Sequence, residues 1–308
     1  MLSILLFISL ITVFIMGMTI LRTGLFKLSG ETFKRMLERV TSSPLKAMFT
    51  SIFVTAILHS SSAVMVITIG LISAGMLSFP KSIGIILGTN IGTTFTTEFI
   101  TFNINQYLVP MAIIGALLML FTHVKIRSSG SILFGMSAVF IAIQGFEYLA
   151  TPLTELSSVE SILAMLNNSH VLSVFFGMIV TALIQSSTAM TGITMGFLSG
   201  DVLKLDSGIA IMLGSNIGTC ITAFIAAIGS GQESKLCAYA HIWLNVAGVL
   251  LFIPFIDWLA SLAPIAAESP DIQLAHSSLL FNVITSLIVL PFAEPFGRWI
   301  QFVHGKKA

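Results

Sequence analysis

Charge is what this sequence has least of. Lys, Arg, Asp and Glu together make up 9% of the 308 residues, where a soluble domain carries about 25%. So few charges cannot dress a water-facing surface, which excludes an ordinary soluble domain. With 56% hydrophobic residues, the chain reads as one solvated by lipid. A net charge of +1 argues against a nucleic-acid partner, which calls for a basic patch. Cysteine is nearly missing too. Cys220 and Cys237 stand in or beside apolar runs and read as small core residues, not as a disulfide framework. The amino-terminal apolar run lacks a basic flank and a small-residue cleavage site, so 2–21 reads as a membrane helix and not a signal peptide. No soluble domain is expected.

What is present is a series of apolar stretches. A span needs about 20 helical residues to cross about 30 Å. Residues 2–21 satisfy this, and a polar, interfacial segment is expected over 22–46. A stretch over 47–77 carries His59-Ser60-Ser61-Ser62 at its middle, and 82–104 is interrupted by Gly88-Thr89-Asn90-Ile91-Gly92-Thr93. A plain span is expected over 108–123. The pattern then recurs: a span over 132–150, a polar segment over 151–169, and 171–200 with Gln185-Ser186-Ser187-Thr188 at its middle. After it come 207–229, interrupted by Gly214-Ser215-Asn216-Ile217-Gly218-Thr219, a span over 236–256, a further one over 274–291, and an amphipathic tail ending in Lys306-Lys307.

The recurrence is a duplication. With a shift of 126 positions, Val54–Thr96 falls on Val180–Thr222 without a gap and with 20 identities in 43 pairs. Shared apolar composition gives roughly four or five. A period this long marks a duplicated half-protein. The expected organisation is repeat one over 1–127, repeat two over 128–257, and an extra span with a cytoplasmic tail over 258–308.

The stretches 47–77 and 171–200 can each cross once or turn back as a hairpin with the serine-rich motif at its tip. Lys and Arg favour the cytoplasmic side. With hairpins, 13 of the 14 fall on one side and only Lys204 on the other; with single crossings the split is 10 to 4. Hairpins therefore give the better topology, with the amino terminus outside and the carboxyl terminus in the cytoplasm. Each repeat then has three full crossings, and the odd number inverts the second relative to the first. The fold class expected is an all-α polytopic membrane protein of two inverted-topology repeats, each with a re-entrant hairpin and a broken helix, plus one C-terminal span. That makes seven full spans, with the two tips meeting near the midplane, where inverted-repeat transporters bind their substrates.

Ser, Thr, Asn, Gln, Gly and one His are expected at that depth, with no Lys or Arg. Helix amino termini suit an anion; unwound carbonyls suit a small cation; hydroxyls serve both. The anion would be neutralised by helix ends and co-bound cations, which is a physical basis for symport.

These motifs carry a resemblance. His59-Ser60-Ser61-Ser62-Ala63 and Gln185-Ser186-Ser187-Thr188-Ala189, with Gly-Thr-Asn-Ile-Gly-Thr-Thr and Gly-Ser-Asn-Ile-Gly-Thr-Cys, resemble the type II sodium/phosphate cotransporter family, whose motif is a repeated Gln-Ser-Ser-Ser. The resemblance runs from about Gly17 to about Ile256. It implies a secondary active transporter of the cell membrane, not an enzyme, with Na⁺ as the co-transported ion and phosphate or a similar small anion as substrate. It implies phosphate contacts from Ser60, Ser61, Ser62, Ser186, Ser187 and Thr188. For Na⁺ it implies His59, Gln185, Ser61, Ser187, Thr89, Asn90, Thr93, Ser215, Asn216 and Thr219. The lipid bilayer is the first partner; a homodimer and a separate PhoU-like regulatory protein are further ones that the family suggests. The chain departs from the pattern at His59, which stands where the family has Gln, and it is expected to be either a short member without a PhoU-like domain or a truncated chain.

Other readings compete. Single Ser/Thr clusters commonly glue membrane helices together, Asn90 and Asn216 could cap helix breaks, and His241, Asn245 and Asn282 suit interhelical hydrogen bonds. Glu98, with no counterpart in repeat two, is as compatible with an interfacial position as with a functional one. An intramembrane serine hydrolase would need a base in reach of a serine; His59 adjoins Ser60, but Gln185 stands at the equivalent place. A passive anion channel and a carrier of sulfate or a dicarboxylate remain alternatives.

Overall fold

The structure is a computed structural model that describes residues 2–39 and 43–305. Lys306 and Lys307, placed above on the cytoplasmic side, lie outside the described residues, as do 40–42 of the expected polar segment. Among the described residues every regular element is a helix. The long ones are α1 (Leu2–Arg39), α4 (Phe79–Phe99), α6 (Val124–Thr154), α12 (Gln232–Phe252) and α14 (Pro270–Val289). The shorter ones are α2 (Pro44–Leu58), α3 (Ser61–Ser73), α5 (Leu108–Met119), α7 (Ser157–Asn168), α8 (His170–Ile184) and α9 (Ser187–Ser199). They are completed by α10 (Leu205–Gly218), α11 (Cys220–Ala227), α13 (Ile256–Ala266) and α15 (Ala293–His304).

The duplication reappears in the helix boundaries. Both ends of α8 lie 126 residues after those of α2, both ends of α9 lie 126 after those of α3, and α10 begins 126 after α4. The same local signals set these boundaries. Ser43 and Ser169 are the N-caps of α2 and α8, each accepting the amide of the residue three positions on. α2 packs along α4, α8 along α10, and α1 along α6.

The expected spans are matched in part. Among the described residues, five stretches are long and apolar enough to cross a membrane: Leu2–Glu38, Val124–Thr154, Leu205–Ala227, Gln232–Ala266 and Pro270–His304. Of the other two expected spans, α5 stops at Met119 after 12 residues, about 18 Å. α4 has the length, but Lys81, Glu98 and five threonines make it polar. The segment after Leu21 is not a separate interfacial piece, since α1 continues unbroken to Arg39, about 57 Å in all. No proline lies within 22–39 to stop it, and its residues are ordinary helix formers for the most part.

The expected break in α4 is absent as well. Gly88 and Gly92 lie within one continuous helix, while in the second copy a single residue, Thr219, separates α10 from α11. The glycines are contact points. A Cβ on Gly88 would overlap the carbonyl oxygen of Met48, and one on Gly214 that of Val174. They let α2 lie backbone-to-backbone on α4, and α8 on α10, as small residues do between membrane helices.

Two apolar cores result. One gathers Phe14, Phe146, Ile209 and Leu274, among others, from α1, α6, α10 and α14. The other gathers Val64, Ile85, Cys237 and Ile300 from α3, α4, α12 and α15. Cys220 and Cys237 are free and buried, as the sequence suggested.

Candidate functional site

The turn between α2 and α3 and the turn between α8 and α9 are each built by two residues. His59, the last position of the first arm, has φ 49° and ψ 35°; Gln185 has φ 56° and ψ 30°. Both are in the left-handed region where glycine is the usual residue, so each turn holds backbone strain of order 1–3 kcal/mol. The next residue, Ser60 or Ser186, is extended and caps the second arm, its Oγ accepting the amide of Ala63 (3.1 Å) or Ala189 (3.2 Å). The turn thus ends one helix and starts another within two residues. It leaves the first amides of α3 and α9, at Ser61, Ser62, Ser187 and Thr188, without intrahelical partners.

The two turns are joined by a cation that the sequence reading placed elsewhere. Arg22 of α1 donates from Nε to the carbonyl oxygen of His59 at 2.8 Å, and from Nη2 to Thr188 Oγ1 at 3.4 Å. It therefore touches both tips at once, which corrects the expectation that no Arg or Lys lies at this depth. Two of its five N–H groups are accounted for, and no carboxylate lies within ion-pair distance of it among the described residues. The position follows from helical register. Phe14, Met18 and Leu21 are buried on one side of α1, and Arg22 continues that stripe one turn after Met18.

Further contacts tighten the centre. The His59 ring pairs through Nδ1 with Thr96 Oγ1 at 3.0 Å and packs on Phe99. Thr222 donates to Ser62 Oγ at 3.2 Å, tying α11 of the second copy to α3 of the first. Thr96 and Thr222 are equivalent positions of the duplication, and each touches the serine-rich motif of the first copy. Their pairing under the 126-residue shift was visible in the sequence, and it was the one signal that marked them.

The expected site residues divide into two groups. His59, Ser60, Ser61, Ser62, Ser186, Ser187 and Thr188 lie in the turns or at the helix ends they start. Gln185 also lies there, exposed, with no side-chain hydrogen bond among those of the described residues. The rest are embedded in helices. Thr89 and Thr93 donate to carbonyls of their own helix, those of Ile86 and Thr89, and Ser215 accepts from Thr181 at 2.9 Å between α10 and α8. Asn216 donates to the carbonyl of Met212. Asn90 donates to Asn245 Oδ1 at 3.2 Å, joining α4 to α12, and borders a cavity of about 170 Å³ together with Thr285 and Ser286. Thr219 occupies the junction of α10 and α11.

Neither asparagine caps a helix: both lie inside one. Of the expected interhelical partners, Asn245 is one, whereas Asn282 donates within α14 and the ring nitrogens of His241 are unbonded. Glu98 lies 3.6 Å from His276 of α14.

A family model described as Na+/Pi-cotransporter matches residues 13–148 and 150–262, more than half of the chain. The chain is 41% identical over 297 residues to the uncharacterized protein YqeW of Bacillus subtilis (strain 168), covering 96% of this chain and 97% of that one. It is 21% identical to YjbB of Escherichia coli (strain K12), whose name assigns it provisionally to inorganic phosphate export; the match covers 98% of this chain and 56% of YjbB. It is 31% identical over 131 residues, 41% of this chain and 22% of the other, to the sodium-dependent phosphate transport protein 2C of Rattus norvegicus. No solved structure matches. The chain belongs to the Na+/Pi-cotransporter family.

Proposed function

We propose that this protein is a secondary active transporter that carries inorganic phosphate together with Na⁺ by alternating access, binding both where the two turns meet. One observation carries the reading: Arg22 bridges the tips and has no carboxylate partner among the described residues. An intramembrane cation requires an anionic or dipolar partner, and a guanidinium fork matches phosphate oxygens. The amino-terminal ends of α3 and α9, with Ser61, Ser62, Ser187 and Thr188, supply the remaining donors.

The substrate charge then fixes the role of sodium. Arg22 offsets one charge of a divalent phosphate, and a co-bound Na⁺ offsets the other. Its ligands in this reading are oxygens of Gln185, Ser61, Ser187, Asn90, Thr93, Asn216 and Thr219. Thr89 and Ser215 are fully buried, Thr89 on a carbonyl of its own helix and Ser215 against Thr181, and serve the scaffold, whereas Thr93 is half-buried; His59 positions its turn through Thr96.

Unequal exposure of equivalent residues supports alternating access. Ser60 and Ser61 are 7% and 8% exposed, whereas Ser186 and Ser187 are half-buried and Gln185 is exposed; at the third position the order reverses, with Thr188 4% exposed and Ser62 half-buried. A duplicated carrier open to one side presents its halves in this unequal way. The arms α2 and α3 have 15 and 13 residues, about 22 and 20 Å, each short of a full crossing. This favours re-entrant hairpins in two inverted repeats over 1–127 and 128–257. The amino terminus would then be outside and the carboxyl terminus in the cytoplasm.

Uptake of labelled phosphate into proteoliposomes tests the reading. Accumulation is expected with an inward Na⁺ gradient and not with K⁺ in its place. Equal uptake in both would remove sodium from the mechanism, and none in either would remove phosphate.

A further inference from the structure

Far from the turns, three potential metal ligands converge. His170 is the first residue of α8, Asp206 the second of α10 and Asp257 the second of α13. His170 Nε2 lies 3.3 Å from Asp206 Oδ2 and 3.4 Å from Asp257 Oδ1, and the three atoms lie within 4.8 Å of one another. The other oxygen of Asp206 accepts the amide of Ser207 at 2.7 Å, which holds the carboxylate in orientation. The nearby ammonium of Lys204 is turned to the carbonyl of Asn167, leaving the two carboxylates facing the imidazole.

We propose that His170, Asp206 and Asp257 form a binding site for a divalent transition-metal ion of the Zn²⁺ type. Zn²⁺ sits about 2.0–2.2 Å from imidazole nitrogen and carboxylate oxygen, so neighbouring ligands of a tetrahedral site stand about 3.3–3.5 Å apart. That is the spacing of the imidazole to each carboxylate. A nitrogen donor beside two carboxylates favours a first-row ion over Mg²⁺ or Ca²⁺, which take oxygen alone. Three protein ligands leave a fourth position for water.

The site is not a product of the duplication. Under the 126-residue shift, Pro44 stands opposite His170 and Pro80 opposite Asp206. Neither proline can ligate, so the second copy carries donors that the first lacks. The cluster lies a full helix away from Gln185, 15 residues or about 22 Å. An ion there would bind the outer end of one hairpin arm to α10 and to α13, and so restrain the second hairpin without touching its turn.

The test uses the full chain in detergent micelles, stripped with a chelator and then titrated with Zn²⁺ by calorimetry and with Co²⁺ by visible absorption. One ion per chain, a tetrahedral Co²⁺ band and a raised unfolding temperature with Zn²⁺ are expected. Asp257→Asn changes a side chain that is 79% exposed, so its fold is safe. This variant and His170→Ala should each weaken Zn²⁺ binding at least about tenfold, the smallest loss that removal of even an outer-shell partner produces. Folded wild-type protein that takes up no Zn²⁺, or binding unchanged in both variants, would overturn the site.

Discussion

At the scale of single residues, Arg22 decides the most. Removing it takes away a charge-assisted contact worth about 1.5–3 kcal/mol, or roughly a 10- to 100-fold loss in affinity. Arg22→Ala should therefore weaken phosphate binding by that factor in equilibrium titration of the purified protein. Arg22→Lys should recover part of it, since it keeps the charge and loses the fork that spans both turns. Arg22→Ala binding phosphate like the wild type, with an intact fold, would remove the guanidinium from the substrate site. The residue escaped the sequence reading because it directly follows an apolar run and precedes several lysines, where hydropathy places a membrane boundary. Its burial depends on α1 continuing as one 38-residue helix, which is a tertiary outcome. The serine motifs were legible for the opposite reason: they recur under the 126-residue shift, and a repeated motif shows in the sequence without any knowledge of packing.

At the scale of elements, the turns at the middle of 47–77 and 171–200 followed from the sequence, while the N-caps at Ser43, Ser60, Ser169 and Ser186 and the meaning of the glycine-rich segments did not. Glycine in a helical pattern reads as a break when only local propensity is weighed. In α4 and α10 the same glycines are where another backbone presses close, and that pressure comes from α2 and α8. The consequence is measurable. Gly214→Ala would push its Cβ into the carbonyl of Val174 and Gly88→Ala into that of Met48. Overpacking of this kind costs about 1–3 kcal/mol, so both variants should unfold at lower temperature than wild type. Gly70→Ala is the control, because a Cβ there meets nothing within 4 Å and alanine favours the helix. Equal stability of all three would mean that α2 and α8 do not lie against those glycines.

At the scale of the whole molecule, the duplication was the plainest thing in the sequence, and the structure adds that its two halves are not in equivalent surroundings. Ser61 is nearly covered and Ser187 is half-buried, although each begins the second arm of its hairpin. If the carrier alternates, the second state should exchange the two environments. Ser61→Cys and Ser187→Cys can report this directly, since the native Cys220 and Cys237 are 2% and 0% exposed and should stay silent to a membrane-impermeant thiol reagent. In proteoliposomes of one orientation without substrate, Ser187→Cys should react faster than Ser61→Cys from the side to which the site is open. Both positions line the proposed site, so addition of Na⁺ with phosphate should slow both from that side. Once the carrier has alternated, reagent on the opposite face should reach the pair with Ser61→Cys the faster of the two. Ser187→Cys remaining the faster from either face would contradict the exchange, and rates indifferent to Na⁺ and phosphate would remove the two turns from the binding site.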